Sequence, residues 1–273
     1  MIKSILITGC STGIGLHTAM TLNKLGYTVF ATARQLKDVE KLKKLGLDAR
    51  QLDINNFQHQ QQVLDEILGL TDGTLDALFN NAAYGQPGAI EDLSTEILRE
   101  QFETNVFAWH ELTIRCLKIM RKQGYGRIIQ NSSVLGFVTM PFRGAYNASK
   151  FAIKGLTDTL RLELAGTNIH ISLIEPGPIE SNFRKTALQK FNDNIDVQNS
   201  VFAEAYQRQI DRLSSDVGNK FTLGPDAVTL KVIHALSSTK PKARYRVTLP
   251  THIFAVLKRM LSTRLLDKML IKG

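Results

Sequence analysis

Two cysteines and one tryptophan occur in this chain of 273 residues, and no apolar run approaches the roughly 18 residues needed to cross a bilayer. Neither Cys10 nor Cys116 has a second Cys or a His at metal-ligand spacing, which argues against a disulfide scaffold or a zinc module; no metal is expected. Internal repeats, low-complexity tracts and Pro/Gly/Ser linkers are also missing, so one domain over residues 1–273 is expected. The opening run Met1 to Ile7 is too short for a signal peptide and leads directly into a glycine-rich turn, which predicts a cytoplasmic chain. The six histidines are scattered and read as structural or solvated.

With 43% hydrophobic and 22% charged residues, the composition is that of an ordinary globular protein, but the net charge of +9 is unevenly placed. From Lys240 to Gly273 there are nine Lys or Arg against Asp267 alone, so this segment holds +8 and the preceding 239 residues +1. A nucleic-acid-binding body would spread its basic stripe over the core elements, so no nucleic-acid partner is expected and the excess is a property of a basic C-terminal segment, 240–273.

Short β-rich runs alternate with longer stretches of helical period. Strands are predicted at Ser4 to Ile7, Thr28 to Thr32, Ala49 to Leu52, Ala77 to Phe79, Arg127 to Gln130, His170 to Ile174 and Arg244 to Val247. Between them, Leu16 to Leu25, Lys37 to Lys44, Gln58 to Leu68, Glu96 to Arg121 and Tyr146 to Leu164 carry apolar residues three and four apart. The alternation predicts an α/β fold: a single-domain, Rossmann-type, doubly wound parallel sheet of about seven strands with helices on both faces. The polar, poorly patterned stretch 181–218 predicts a long loop over a site.

Thr8-Gly9-Cys10-Ser11-Thr12-Gly13-Ile14-Gly15 follows the first strand and opens the first helix. Gly9 allows a tight turn, Gly13 lets backbone N–H groups approach a pyrophosphate, and Gly15 permits close helix-to-strand packing at the positive end of the helix. The spacing is neither G-x-G-x-x-G nor a Walker loop. At the end of the second strand, where an acid would hold a free ribose 2′-hydroxyl, Thr32-Ala33-Arg34 offers none; Arg34 is placed to clamp a 2′-phosphate, which favours NADP(H) over NAD(H). A solvated Arg capping a strand end is the plainer alternative. Asp53, just after the third strand, is either an acceptor for adenine or a turn and helix-start residue.

Tyr146-Asn147-Ala148-Ser149-Lys150 puts a phenol and an ammonium four apart on one helix face. A neighbouring cation favours the phenolate, which would lower the tyrosine pKa into range for acid–base work on a carbonyl or alcohol oxygen. Ser133, at the end of the preceding strand, would hold the same oxygen.

Taken with Asn80-Asn81-Ala82-Ala83, Asn105 and Pro176-Gly177-Pro178-Ile179-Glu180-Ser181, these motifs make nearly the whole chain resemble the short-chain dehydrogenase/reductases of the classical type. The resemblance implies that Tyr146 is the acid/base, that Ser133 steadies the substrate oxygen, that Lys150 binds the nicotinamide ribose and lowers the Tyr146 pKa, and that Asn105 holds a water connecting Lys150 to solvent. It assigns Asn81 to the cofactor-side end of the fourth strand, Asp53 to adenine, and Ile179 and Ser181 to the nicotinamide amide. The implied cofactor set also includes Ser11, Thr12, Ile14, Ile54, Ala82, Pro176 and Gly177. Two positions depart from the family pattern. Ala83 stands where Gly is usual, which would be strained at positive φ, and Ser181 stands where Thr is frequent.

Val134 to Phe142 is apolar and suits either the wall of a pocket for a hydrophobic aldehyde, ketone or alcohol, or a core or subunit contact. The glycine turn, Ala31 to Arg34 and Tyr146 to Ala152 look most like the hydroxysteroid and retinol branch and the bacterial aldehyde reductases near it. The expected activity is NADP(H)-dependent reduction of an apolar carbonyl compound; the alternative is an NADP(H)-binding redox sensor without turnover. Pairing through the two long helices into a homodimer or homotetramer is expected from the family. The basic tail holds two short amphipathic patterns, with Ile253, Phe254, Val256, Leu257, Met260 and Leu261 on one side of the first and Leu265, Leu266, Met269 and Leu270 on one side of the second. It would serve as a lid, a subunit contact or a weak, peripheral membrane-surface contact.

Overall fold

The computed structural model describes residues 3–214 and 220–271; residues 215–218 of the expected loop and 272–273 of the tail, Lys272 included, lie outside the described residues. Seven strands, β1 (Ser4–Ile7), β2 (Thr28–Ala33), β3 (Asp48–Gln51), β4 (Ala77–Asn80), β5 (Tyr125–Asn131), β6 (Asn168–Glu175) and β7 (Arg244–Arg246), form one parallel sheet in the order β3-β2-β1-β4-β5-β6-β7. The winding reverses between β1 and β4, and a crevice opens there beyond the carboxyl ends of the strands. The doubly wound fold read from the sequence is the fold observed.

Helices α1 (Gly13–Lys24), α2 (Leu36–Lys44) and α3 (Phe57–Leu70) follow the first three strands, and α4 (Thr95–Phe102), α5 (Ala108–Gln123) and α6 (Gly144–Glu163) follow the next two. Then come α7 (Phe183–Asn194), α8 (Ala203–Ser214), α9 (Asp226–Ser237), α10 (Leu249–Met260) and α11 (Thr263–Leu270). One sheet face buries Ile5, Ile7, Val29 and Ala31 against Ala19, Leu22, Val39, Val228 and Val232 of α1, α2 and α9. The other buries Leu6, Phe30, Leu78 and Ile128 against Leu64, Trp109, Cys116 and Ile153 of α3, α5 and α6. Successive strand residues therefore feed opposite layers, as the pleat requires.

Two expectations are corrected. Stretch 181–218 is not an unstructured loop over its described part: it folds into α7 and α8. Its pattern is faint because α8 buries only Tyr206 and Leu213, and α7 only Ala187 and Phe191. The Tyr206 hydroxyl accepts from Ala89 N at 2.8 Å and donates to Asp92. The single helix expected over Glu96 to Arg121 is α4 and α5 joined by a π-turn, Glu103–Phe107. In the tail, Ala255, Leu266 and Leu270, with Phe254, Leu257 and Leu261 partly buried beside them, pack on Val134, Leu135, Phe137 and Val138, whereas Val256, Met260, Leu265 and Met269 remain exposed. Part of the apolar stretch Val134 to Phe142 thus forms a small core with the tail, which packs on the chain's own body and leaves an apolar side exposed.

At the amino-terminal edge of the sheet, away from the crevice, Asp76 accepts from Lys3 N (2.6 Å), Ser4 N (3.0 Å) and the Tyr125 hydroxyl (2.9 Å). Asp76→Ala leaves buried donors unpaired and is expected to lower unfolding stability by about 2–3 kcal/mol, against about 1 kcal/mol for Tyr125→Phe, with dinucleotide affinity unchanged in both. Chemical denaturation and a dinucleotide titration check this; a loss of affinity in either variant would contradict it.

Candidate active site

A cavity of about 1080 Å³ runs along the carboxyl ends of the strands. Its lining includes Gly9, Ser11, Thr12, Gly13, Ile14, Arg34, Asp53, Ile54, Asn81, Ala82, Ser133, Tyr146, Lys150, Pro176, Gly177, Ile179 and Ser181, so most of the residues expected from sequence converge on one space. Gly15 and Asn105 are not among the lining residues; both act from behind it.

Gly9 and Gly13 have φ of +72° and +58°, a region that favours glycine, and a Cβ on Gly9 would lie 2.7 Å from Ala82 Cα. A Cβ on Gly15 would meet the Gly9 carbonyl oxygen at 2.2 Å. These glycines therefore bring the start of α1 against the ends of β1 and β4. Thr12 caps that helix with no side-chain hydrogen bond and no acid stands in its first turn, so the first N–H groups and the positive end of the helix face the cavity unneutralised. Such a cradle fits a pyrophosphate. Ala83 is not strained: among the described residues only Asp72 and Phe142 are non-glycine residues with positive φ.

Arg34 is exposed at the cavity edge, and among the described residues no carboxylate pairs with its guanidinium. Sequence reading overlooked Asp38, one helical turn on, which lines the same cavity; its carboxylate is held by Lys41 at 3.3 Å. Asp53 accepts from Asn55 N at 3.1 Å, which is the turn role left open above, while still lining the cavity.

Asn81 is a bracket. Its Nδ2 donates to the Thr8 and Gly9 carbonyls (2.9 and 3.0 Å), and its Oδ1 accepts from Asn131 Nδ2 at 2.8 Å. Asn131 then offers its own carbonyl to Lys150 Nζ, 2.8 Å away. The ammonium also lies 4.2 Å from the centre of the Trp109 ring, and Trp109 is fixed by donating to the Ala82 carbonyl at 2.7 Å. Lys150 is almost wholly buried, and burial pulls its amine down to about 7.

Four residues back on α6, the Tyr146 ring packs edge-on against Phe183 at 5.3 Å between centroids, with Lys150 Nζ 5.6 Å from its centre. Burial pushes the phenol up to about 12, and Ser133, facing it, opposes the rise. Desolvation outweighs the Ser133 hydrogen bond in setting that direction, and the lowering expected from a neighbouring cation is not seen in this structure. Ser133 caps a short 3₁₀ turn, its hydroxyl accepting from Leu135 N at 3.1 Å, which fixes its aim. No direct hydrogen bond joins Asn105 to Lys150. Asn105 sits in the π-turn, accepting from Tyr84 N at 3.2 Å and donating to the Tyr84 carbonyl (2.9 Å) and Ser149 Oγ (3.1 Å). Asn131, Trp109 and Phe183 were missed by sequence reading. The lone Trp was one available signal; Phe183 lay inside the stretch expected to cover a site.

Comparisons with known proteins give the family. The family model for short chain dehydrogenases matches residues 3–192. Over 272 residues the chain is 42% identical to the uncharacterized oxidoreductase YbbO of Escherichia coli, covering 99% of this chain and 94% of that one. It is 32% identical to human retinol dehydrogenase 8 over 271 residues, with 94% and 85% covered. The crystal structure of a short chain dehydrogenase/reductase from Burkholderia phymatum in complex with NAD superposes with a TM-score of 0.76 at 25% identity, covering 94% and 92%. The chain belongs to the short-chain dehydrogenase family, and is an oxidoreductase of that family with retinol dehydrogenase-like relatives.

A buried amine with one carbonyl partner costs stability, so Lys150→Met is expected to leave the unfolding free energy unchanged or raise it by about 1–2 kcal/mol while abolishing turnover. Denaturant unfolding beside an activity assay tests this; a loss of several kcal/mol would make Lys150 a structural residue instead.

Proposed function

We propose that the protein is an NADP(H)-dependent oxidoreductase in which the bound dinucleotide supplies a hydride to the carbonyl carbon of an apolar aldehyde or ketone. The observation behind this reading is the convergence of Tyr146, Ser133 and Lys150 on one cavity beside the glycine cradle. The helix end and Gly9, Gly13 and Gly15 would hold the pyrophosphate, Ile179 and Ser181 would border the nicotinamide, and Lys150 its ribose. Asn55 and Thr104, bonded to each other at 3.0 Å beside Asp53 and Ile54, close the adenosine end. Ser133 orients the substrate oxygen and Tyr146 gives it a proton. The phenolate left behind is stabilised by Lys150, whose amine near 7 takes up a proton readily once a negative charge appears beside it. Helices α7 and α8 form the cover of the substrate side and limit entry of water.

A phenol held up near 12 keeps its proton through neutral pH. Carbonyl reduction is therefore expected to be level across neutral pH and to fall on the alkaline side as Tyr146 ionises; alcohol oxidation, which needs the phenolate, rises with pH instead. Tyr146→Phe should lower kcat/KM by about 10²–10⁴-fold without a matching change in dinucleotide affinity. Initial rates with an aldehyde, ketone and ketosteroid panel give both results. Dinucleotide binding with no turnover of any carbonyl or alcohol would favour the sensor reading.

Arg34 supports the phosphate-bearing dinucleotide, since Asp38 beside it is already engaged by Lys41. Arg34→Ala is expected to raise the KM for NADPH about tenfold or more and leave that for NADH nearly unchanged. Equal changes for the two would overturn the preference.

A further inference from the structure

A wholly apolar carbonyl compound needs no cation beside it, yet the substrate half of the cavity is lined by Arg143, Arg184 and Arg212. Arg143 precedes α6 and lies three residues before Tyr146, Arg184 is in the first turn of α7, and Arg212 is near the end of α8. Three separate elements thus bring guanidinium groups together where the substrate would lie.

Among the described residues the Arg143 guanidinium meets no carboxylate; the acceptor it reaches is Met140 Sδ, a weak partner for a cation. Burial, with repulsion from Arg212 and Arg184, brings it down to about 9. Arg212 is lowered as well, by burial and by Arg184, and donates to a neutral acceptor, Gln209 Oε1, at 3.2 Å. Arg184 has a partner of its own and is not assigned to the anion. Of the acids along the cavity among the described residues, Asp38 and Asp53 lie at the Arg34 end, Glu103 adjoins Thr104 of that same end, and Glu100 pairs with Lys190 at 3.5 Å. Like charges gathered away from bulk water raise the free energy of the free protein, and an anion placed between them relieves it.

We propose that the substrate is amphiphilic: an anionic head group, carboxylate, sulfonate or phosphate, is held by Arg143 and Arg212 while the carbonyl lies against Tyr146 and the chain lies along Met140, Phe183 and Leu213. This rests on the carbonyl-reductase reading and narrows it from an apolar substrate to one with a charged end.

Oxododecanoates with the ketone moved stepwise along the chain, each beside its methyl ester, test the idea in steady-state rates with NADPH. At the best ketone position the acid is expected to exceed its ester in kcat/KM by about tenfold or more. Arg143→Met and Arg212→Gln should erase that advantage, Arg143→Lys should keep part of it, and the KM for NADPH should stay within about threefold. Acids and esters turned over equally by the unmodified protein would overturn the proposal. So would variants that raise the KM for NADPH with the acid advantage intact, since the arginines would then serve the dinucleotide phosphates. Calorimetric titration of the NADP-loaded protein with dodecanoate, dodecan-1-ol and inorganic phosphate separates this from the reductase reading. Dodecanoate binding that is tighter than that of the alcohol or of phosphate, and is lost in Arg143→Met, supports the anion site even if no ketone is reduced. Equal binding of acid and alcohol, or phosphate binding as tight as dodecanoate, counts against it. Thermal unfolding of each variant shows whether a loss comes from misfolding.

Discussion

Lys150 reaches from α6 to the Asn131 carbonyl at the end of β5 and lies on the face of Trp109, almost without access to water. Much of the upper rim of the sheet is arranged around that contact. Asn131 holds its place through Asn81, Asn81 through the Thr8 and Gly9 carbonyls, and Trp109 through the Ala82 carbonyl. The glycine turn and the amine are therefore parts of one polar network, and a shift in either is felt by the other. Burial makes Lys150 reluctant to stay protonated, which would suit a group that responds to charge developing on Tyr146 in the proposed reaction.

The two ends of the sheet divide the work. At the lower edge Asp76 ties the first strand to Tyr125 through hydrogen bonds. At the upper edge the strands stop early, polar side chains brace one another, and helix ends point into open space. Binding and chemistry gather where winding reverses because two loops diverge there and leave a crevice between them. Above it, α7, α8 and the tail helices rest on small satellite cores, Phe191 with Tyr206 and Leu266 with Val138, rather than on the main layers. Elements attached in that way open at lower free-energy cost than the sheet, which is what a cover over a binding cavity requires.

Features coded locally were legible in the sequence. Strands β1 to β7 showed as β-rich runs, the cradle as glycines between a strand and a helix, and the Tyr146–Lys150 pair as a four-residue spacing. Features that depend on distant partners were not. The π-turn at Asn105 is fixed by Tyr84, which is 21 residues away in the chain. Helix α8 buries residues seven positions apart, too sparse a pattern to stand out in a polar stretch. The direction of the Tyr146 shift depends on how deeply the phenol is enclosed, which a four-residue spacing does not convey. The arginines belong to three elements and meet only once α7 and α8 have folded over the cavity.

The central claim is that this cavity passes a hydride and a proton to a carbonyl group. The most direct measurement is mass spectrometry of the alcohol formed when the protein is incubated with an aldehyde and NADPH deuterated at the transferable ring position. The account predicts one deuterium on the carbinol carbon and an ordinary proton on the hydroxyl oxygen in water. An alcohol without deuterium for either ring isomer, or bound NADPH that leaves every aldehyde unchanged, would contradict it.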